Sequence, residues 1–298
     1  MRKADIPDKA SKVKASRLLK TGSVNKASYK KTKPSNPAAR KRSTARKTKV
    51  KTFKPGFRFI AGLVFFIFLA LSLPFIIRFK SDSGAKVPKG TYKFGIDISH
   101  NNYSPIVWDS LKVLIGKDGR TVRKIKAAKT ILPVSFIYIK ATEGESFKDR
   151  NFKENWEEAG KRGLSRGAYH FFRSSKDPLT QAKNFIETVG DLRYKDLPPV
   201  LDIETIHRGC SYAELNEKAL LWLKTVEARY GKKPLVYTSA RFASDILSQS
   251  IRDTYPLWIA HYGVESPERE DWTYWQFTDK AVVHGIPGLV DLNVMKLK

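Results

Sequence analysis

Asp202 and Glu204 stand two residues apart at the end of a short apolar run, Leu197-Pro-Pro-Val-Leu-Asp-Ile-Glu-Thr205. The proline pair cannot donate to a ladder, which suits the entry of a strand, and Val200, Leu201 and Ile203 supply its apolar body. Alternation along a strand turns both acids to one face, roughly 6–7 Å apart. Like charges that close repel, so one acid should hold its proton more tightly than the other. That split is the condition for a general acid working beside an ionised partner. At a solvated strand end the same pair would do nothing, so the chemistry depends on what other elements bring there.

Those elements read as alternating strands and helices from Thr91 onward. Eight strands are expected: Lys93–Ile98, Val134–Lys140, Arg166–Phe172, Pro199–Glu204, Leu235–Thr238, Leu257–Ala260, Tyr274–Phe277 and Leu289–Asp291. Between them the spacing predicts helices over Trp108–Ile115, Asn151–Arg162 (stopped by Gly163), Asp177–Val189 (with Pro178 in its first turn) and Tyr212–Tyr230 (stopped by Gly231). Helical crossovers between successive strands imply a parallel sheet. The segments between the last three strands are too short for full helices. The expected fold is α/β: a modified TIM-like β/α barrel of eight strands whose last third is poor in helices. The basic stretch Gly116–Lys129 has no place in that pattern.

A barrel gathers the C-terminal ends of its strands at one mouth. At those ends lie Asp97, Lys140 with Glu143, Tyr169 with His170, Asp202 with Glu204, Tyr237, Trp258, Trp275 with Gln276, and Asp291. Flat aromatic faces together with carboxylates suit a sugar: rings for the pyranose faces, acids for the glycosidic oxygen. The histidines show no metal-ligand spacing such as H-E-x-x-H, and neither a Gly-rich phosphate loop nor a G-x-S-x-G elbow is present. No metal or cofactor is therefore expected.

The chain of 298 residues carries a formal charge of +27, unevenly placed. Met1–Arg58 holds 20 Lys and Arg against Asp5 and Asp8 alone. Residues 1–54 are nearly empty of large apolar side chains and should be disordered. Phe59–Ile77 is an uncharged run of 19 residues; at 1.5 Å per residue it covers roughly 28 Å, enough to cross a bilayer core. The basic flank ahead of it is too long for the n-region of a signal peptide, and it places the N-terminus in the cytoplasm. The expected organisation is a basic cytoplasmic tail (1–54), a transmembrane helix (59–77), a polar linker (81–90) and an exported domain (91–298) at the outer face of the inner membrane. The tail suits anionic lipid head groups; without aromatic interleaving or a folded motif it offers nothing for specific nucleic-acid readout. Cys210 is the single cysteine, so no intrachain disulfide can form.

From about Tyr92 to Val294 the sequence resembles the family 25 glycoside hydrolases, the lysozyme family. The resemblance rests on seven blocks in order: Gly95-Ile-Asp-Ile-Ser-His100, Phe136-Ile-Tyr-Ile-Lys-Ala-Thr-Glu-Gly144, Gly167-Ala-Tyr-His-Phe-Phe172, Leu201-Asp-Ile-Glu204, Trp258-Ile-Ala-His-Tyr262, Trp272-Thr-Tyr-Trp-Gln-Phe277 and Val290-Asp-Leu-Asn293. It implies cleavage of the β-1,4 bond between N-acetylmuramic acid and N-acetylglucosamine in the glycan strands of peptidoglycan. It assigns Glu204 as general acid and Asp202 as its companion carboxylate; burial and the acidic neighbours of Glu204 are expected to keep it protonated near neutral pH. Asp97 and Asp291 are the two further acids, and Tyr138, Lys140, Glu143, Tyr169, Tyr237, Trp258, Trp275 and Gln276 the substrate contacts. Whether Asp202 attacks directly or steadies the substrate's own acetamide is left open, the resemblance leaning to the second. Asn101-Asn102-Tyr103 and the stretch Gly116–Lys129 depart from the family pattern.

Three other readings compete. A non-catalytic peptidoglycan-binding module would be expected to have lost an acid, yet all four are present. A chitinase-type hydrolase usually shows a D-x-x-D-x-D-x-E series, which Pro198-Pro-Val-Leu201 interrupts. A nucleic-acid-binding membrane protein would account for the tail and leave the barrel unexplained.

Overall fold

The structure, a computed structural model, describes residues 83–102 and 105–297. In chain order the strands are β1 (Ser83–Lys86), β2 (Tyr92–Ile98), β3 (Lys112–Ile115), β4 (Arg120–Val122), β5 (Thr130–Glu143), β6 (Phe147–Lys148), β7 (Ser165–Phe171), β8 (Val200–Asp202), β9 (Leu235–Ser239), β10 (Leu257–Ala260), β11 (Trp272–Ala281) and β12 (Val290–Lys296). The helices are α1 (Phe152–Lys161), α2 (Pro178–Val189), α3 (Tyr212–Tyr230), α4 (Ala240–Asp245) and α5 (Gln249–Thr254).

Eight strands close a barrel in the order β2, β5, β7, β8, β9, β10, β11, β12 and back to β2. From β2 to β11 every neighbouring pair is parallel. β12 runs against both of its neighbours. Residues 282–289 between β11 and β12 are too few for a parallel return, which needs roughly a dozen residues or more, so the chain can only turn back. Asp291, expected at the far end of its strand, therefore lies near the start of one, and the reversal brings it to the same mouth.

Alternation sorts the strand side chains into two layers. Phe136, Tyr138, Val200, Leu235, Tyr237, Trp258 and Tyr274 fill the barrel interior. Gly95 and Gly167 make room for the two aromatics of β5: a Cβ on Gly167 would stand 2.1 Å from the Tyr138 ring, and one on Gly95 2.3 Å from that of Phe136. The outward layer (Ile137, Ile139, Leu201, Val236 and Ile259 among others) packs on the helices. α3 buries Leu215, Ala219, Trp222, Leu223 and Val226, one helical face. Ser211 caps its start, accepting from the Glu214 amide, and Gly231 ends it in the left-handed region at φ 62°. Asp177 caps α2 by accepting from the Thr180 amide.

Several expectations change here. Trp108–Ile115 is a single 3-10 turn, Trp108–Ser110, followed by β3. Val113 and Leu114 are buried in consecutive positions, which a strand sandwiched on both faces allows. The unplaced stretch after it turns at Asp118-Gly119, Gly119 having φ 76°, and returns as β4. With the early part of β5 and with β1 these strands form a side sheet, β1-β4-β3-β5, against the barrel. Part of the expected linker is thus β1, paired with β4. Gly84 fits there because a Cβ would meet Thr121 Oγ1 at 2.2 Å. The basic tail and the expected span Phe59–Ile77 lie outside the described residues; among those described, no helix is long and apolar enough to cross a membrane.

Candidate active site

The four acids meet at one mouth. Asp97 from β2 and Asp291 from β12 are direct register partners. Asp202 ends β8, between Phe171 of β7 and Tyr237 of β9, and Glu204 follows on the loop. Together with Ser99, Asn101, Lys140, Tyr169, Phe171, Val200 and Trp258 they line a cavity of about 230 Å³. That is below the roughly 300–1,000 Å³ of ligand clefts, so it would hold one part of a longer ligand.

The acids differ in their surroundings. Asp202 is buried, and its Oδ1 has no hydrogen-bond partner among the described residues. Burial pushes its carboxyl well above the usual range; the charge of Glu204 and a hydrogen bond to it push the same way, against the pull of Lys140. Glu204 itself is exposed. The burial expected of Glu204 is therefore found at Asp202, and only a ligand filling the cavity would take Glu204 out of water. Asp97 is raised by burial, opposed by hydrogen bonds: its Oδ1 accepts from Asn293 Nδ2 at 2.7 Å and Gln276 Nε2 at 2.9 Å. Asp291 is pushed up to about 9, first by burial and then by the charge of Asp97 and their hydrogen bond. The two carboxyls are hydrogen-bonded to each other and titrate as a pair.

Of the expected contacts, Lys140, Tyr169, Tyr237 and Trp258 line the cavity. Lys140 Nζ lies 2.7 Å from Glu143 Oε2 and 5.1 Å from the centre of the Phe171 ring. Glu143 also accepts from Arg173 Nε at 2.9 Å and does not line the cavity. Tyr138 is fully buried in the barrel interior, its hydroxyl 3.4 Å from Pro198 O. Trp275 does not reach the mouth. Its ring packs on Trp272 and Phe277 in the outward layer, and its Nε1 donates to His261 O. Adjacent strand residues face opposite ways, so Gln276 points in and Trp275 out. By the same parity His170 points outward, stacked on Trp222.

Two residues that hold this site together were not singled out from the sequence. Asn293 links Asp97 to Trp258, whose Nε1 donates to Asn293 Oδ1 at 2.9 Å. Tyr262 donates to Gln276 Oε1, which also accepts from the Tyr237 hydroxyl at 2.8 Å. Both lie inside the motif blocks, on one side of an acid in sequence or one turn past a strand, and that was the available signal. Among the described residues no cluster of His, Cys, Asp and Glu could hold a metal ion.

Comparison with known proteins agrees with this arrangement. The sequence profile described as glycosyl hydrolases family 25 matches residues 96–286. The chain is 32% identical over 213 residues to Lysozyme M1 of Streptomyces globisporus, covering 67% of this chain and 66% of that protein. It is 43% identical over 164 residues to the protein YegX of Escherichia coli K12, where the match covers 54% of this chain and only 59% of the relative. The crystal structure of the bacterial lysozyme from Streptomyces coelicolor superposes with a TM-score of 0.59 at 30% identity, over 70% of this chain and 94% of that one. With the profile spanning the barrel from β2 to the turn before β12, and all four acids gathered at its mouth, the chain belongs to family 25 of the glycosyl hydrolases.

Proposed function

We propose that the domain is a peptidoglycan hydrolase of the lysozyme type, an N-acetylmuramidase acting on the β-1,4 bond between N-acetylmuramic acid and N-acetylglucosamine. One observation carries the reading: a buried carboxyl, Asp202, with an unpartnered oxygen, beside an exposed one, Glu204, in a single cavity. The lysozyme names of the Streptomyces relatives support it.

While the cavity is open, burial favours the protonated form of Asp202. A glycan seated over the cavity excludes water from both acids and brings the glycosidic oxygen to Glu204. The proton then passes to Glu204, next to the glycosidic oxygen, and is delivered as the bond breaks. Asp202 is left anionic beneath the sugar, able to steady the acetamide as it closes on the anomeric carbon or to attack that carbon itself. Lys140, which favours the charged form of Asp202, assists. Asp97, clamped by Asn293 and Gln276, keeps the opposite wall in place.

Digesting purified peptidoglycan and identifying the new reducing ends tests the reading. Muramic acid there is the expected result; glucosamine ends, or no cleavage, would overturn it. Proton NMR of the fresh product decides the route, a β anomer being expected and an α anomer excluding both forms of retention.

The membrane-anchored topology belongs to the same proposal, supported by the uncharged Phe59–Ile77 run and the basic residues before it. Alkaline phosphatase fused after Lys298 should be active in cells, and external protease should spare residues 1–54. An inactive fusion in an inserted, well-expressed protein would refute this topology.

A further inference from the structure

The helix-poor last third leaves part of the barrel wall uncovered, and β1 and the β3–β4 hairpin stand against it. Between them runs a second, larger cleft of about 1100 Å³. Lys86, Lys89, Arg120, Arg123 and Lys280 line it, against two carboxylates, Glu265 and Asp279. None of the five cations meets a carboxylate among the described residues; Arg120 donates to Gly84 O, and Arg123 to Ile286 O and Gly288 O. Lys86, Lys89, Arg120 and Lys280 are exposed. Between these charges sit apolar side chains that are also exposed, Val264 at 38% and Leu289 at 55%. Arg120 and Arg123 come from the hairpin that departs from the family pattern.

The cleft adjoins the acids. Leu289 lines the cleft and Asp291 lines the acid cavity; two residues of extended chain separate them by roughly 6–7 Å. Tyr262 lines the cleft while its hydroxyl holds Gln276, the amide that clamps Asp97. A polymer crossing the acids would thus pass its substituents over a cationic, partly apolar cleft. With its lactyl groups amidated, N-acetylated glycan is itself uncharged and gives such a cleft nothing to pair with. The peptides attached to the lactyl groups of muramic acid carry free carboxylates and short aliphatic side chains, matching it in charge and in kind.

We infer that this cleft binds the anionic stem peptide of the substrate and makes the enzyme prefer peptide-bearing glycan; the inference rests on the muramidase reading. Lys86→Gln, Lys89→Gln and Lys280→Gln combined remove three exposed charges without touching the acid cavity. The full chain and this variant are compared on glycan strands with their peptides and on the same strands stripped by an amidase, the lactyl carboxylates so freed being capped as methylamides. The wild type should show the lower KM on peptide-bearing strands, and the advantage should fade at high salt. Exposed charge contacts are individually weak, so the variant's KM should rise roughly five- to tenfold on peptide-bearing strands. Its kcat and its KM on stripped strands should stay as in the wild type.

Equal changes on both substrates, or on neither, would overturn the inference and leave the muramidase reading intact. A free stem tetrapeptide titrated by NMR gives a readout independent of hydrolysis: it should shift the wild type and not the variant. Peptide binding without cleavage of either substrate would sink the muramidase reading and leave the cleft standing. Vesicles of phosphatidylglycerol serve as a control. If the variant loses vesicle binding while its peptide titration is unchanged, the cations serve a membrane face and the inference is wrong.

Discussion

Asp97 and Asp291 reach the cavity from two strands at opposite ends of the domain sequence, whereas Asp202 and Glu204 come from one strand end. The first pair is held on all sides. Asn293 and Gln276 both donate to Asp97 Oδ1, and Asp97 and Asp291 are hydrogen-bonded to each other. The second pair is left incomplete, with an unpartnered oxygen on Asp202 and an exposed Glu204. A satisfied buried network is rigid, and an unsatisfied buried polar atom costs stability until a ligand completes it. The difference sets a satisfied pair apart from an unsatisfied one, although all four are carboxylates around one cavity, and it is the unsatisfied pair to which the proposed mechanism gives the chemistry.

Breaking the open pair should have the largest effect. Glu204→Gln keeps size and hydrogen bonding and cannot deliver a proton, so kcat on peptidoglycan should fall roughly 10²- to 10⁴-fold. Because Glu204 is exposed, the melting temperature should not move. Asp202→Asn should cost activity on a similar scale, about 10²-fold or more, and should raise the melting temperature. The folded state holds the Asp202 proton above the pH at which the unfolded chain has released it, so this residue lowers stability as pH rises, and the amide removes that loss. A variant as unstable as or less stable than the wild type at neutral pH would contradict the assignment of the buried acid.

The closed pair sharpens the comparison. Asp291→Asn should reduce kcat about tenfold, less than either change in the open pair. Its pH signature is distinct. Between 3.8 and about 9 the folded protein keeps a proton that the unfolded chain has lost, so wild-type stability falls with rising pH across that window. Thermal unfolding of Asp291→Asn should show a flatter decline there. Asp97→Ala would strand the Asn293 and Gln276 donors and should destabilise by roughly 1–3 kcal/mol, measured by urea unfolding. The smallest effect belongs to Tyr138→Phe, which sits in the barrel interior and loses the hydrogen bonds of its hydroxyl to Pro198 O and to Tyr274. It should cost about 0.5–1.5 kcal/mol and leave kcat and KM nearly unchanged.

Much of this molecule is written locally. The strands of the barrel follow from short apolar runs bounded by turn residues, and α2 and α3 from caps at Asp177, Ser211 and Gly231, all decided within a few residues of chain. The pairing of Asp202 with Glu204 on one face is local too. Two local signs were passed over: neighbours on a strand cannot share a face, which separates Trp275 from Gln276, and Asp118-Gly119 marks the turn of the hairpin left unplaced from the sequence. Other features depend on what comes together in space. The reversal of β12 follows from closing the barrel over a short connection, and with it the meeting of Asp97 with Asp291 and of Asn293 with both Asp97 and Trp258. Which acid of the open pair is buried also had no local sign. That carboxylates of this spacing stand at a strand end can be read from a few residues of chain; that Asp202, and not Glu204, is kept from water follows from the walls that β7, β9 and β2 raise around them, because desolvation depends on every neighbour in space.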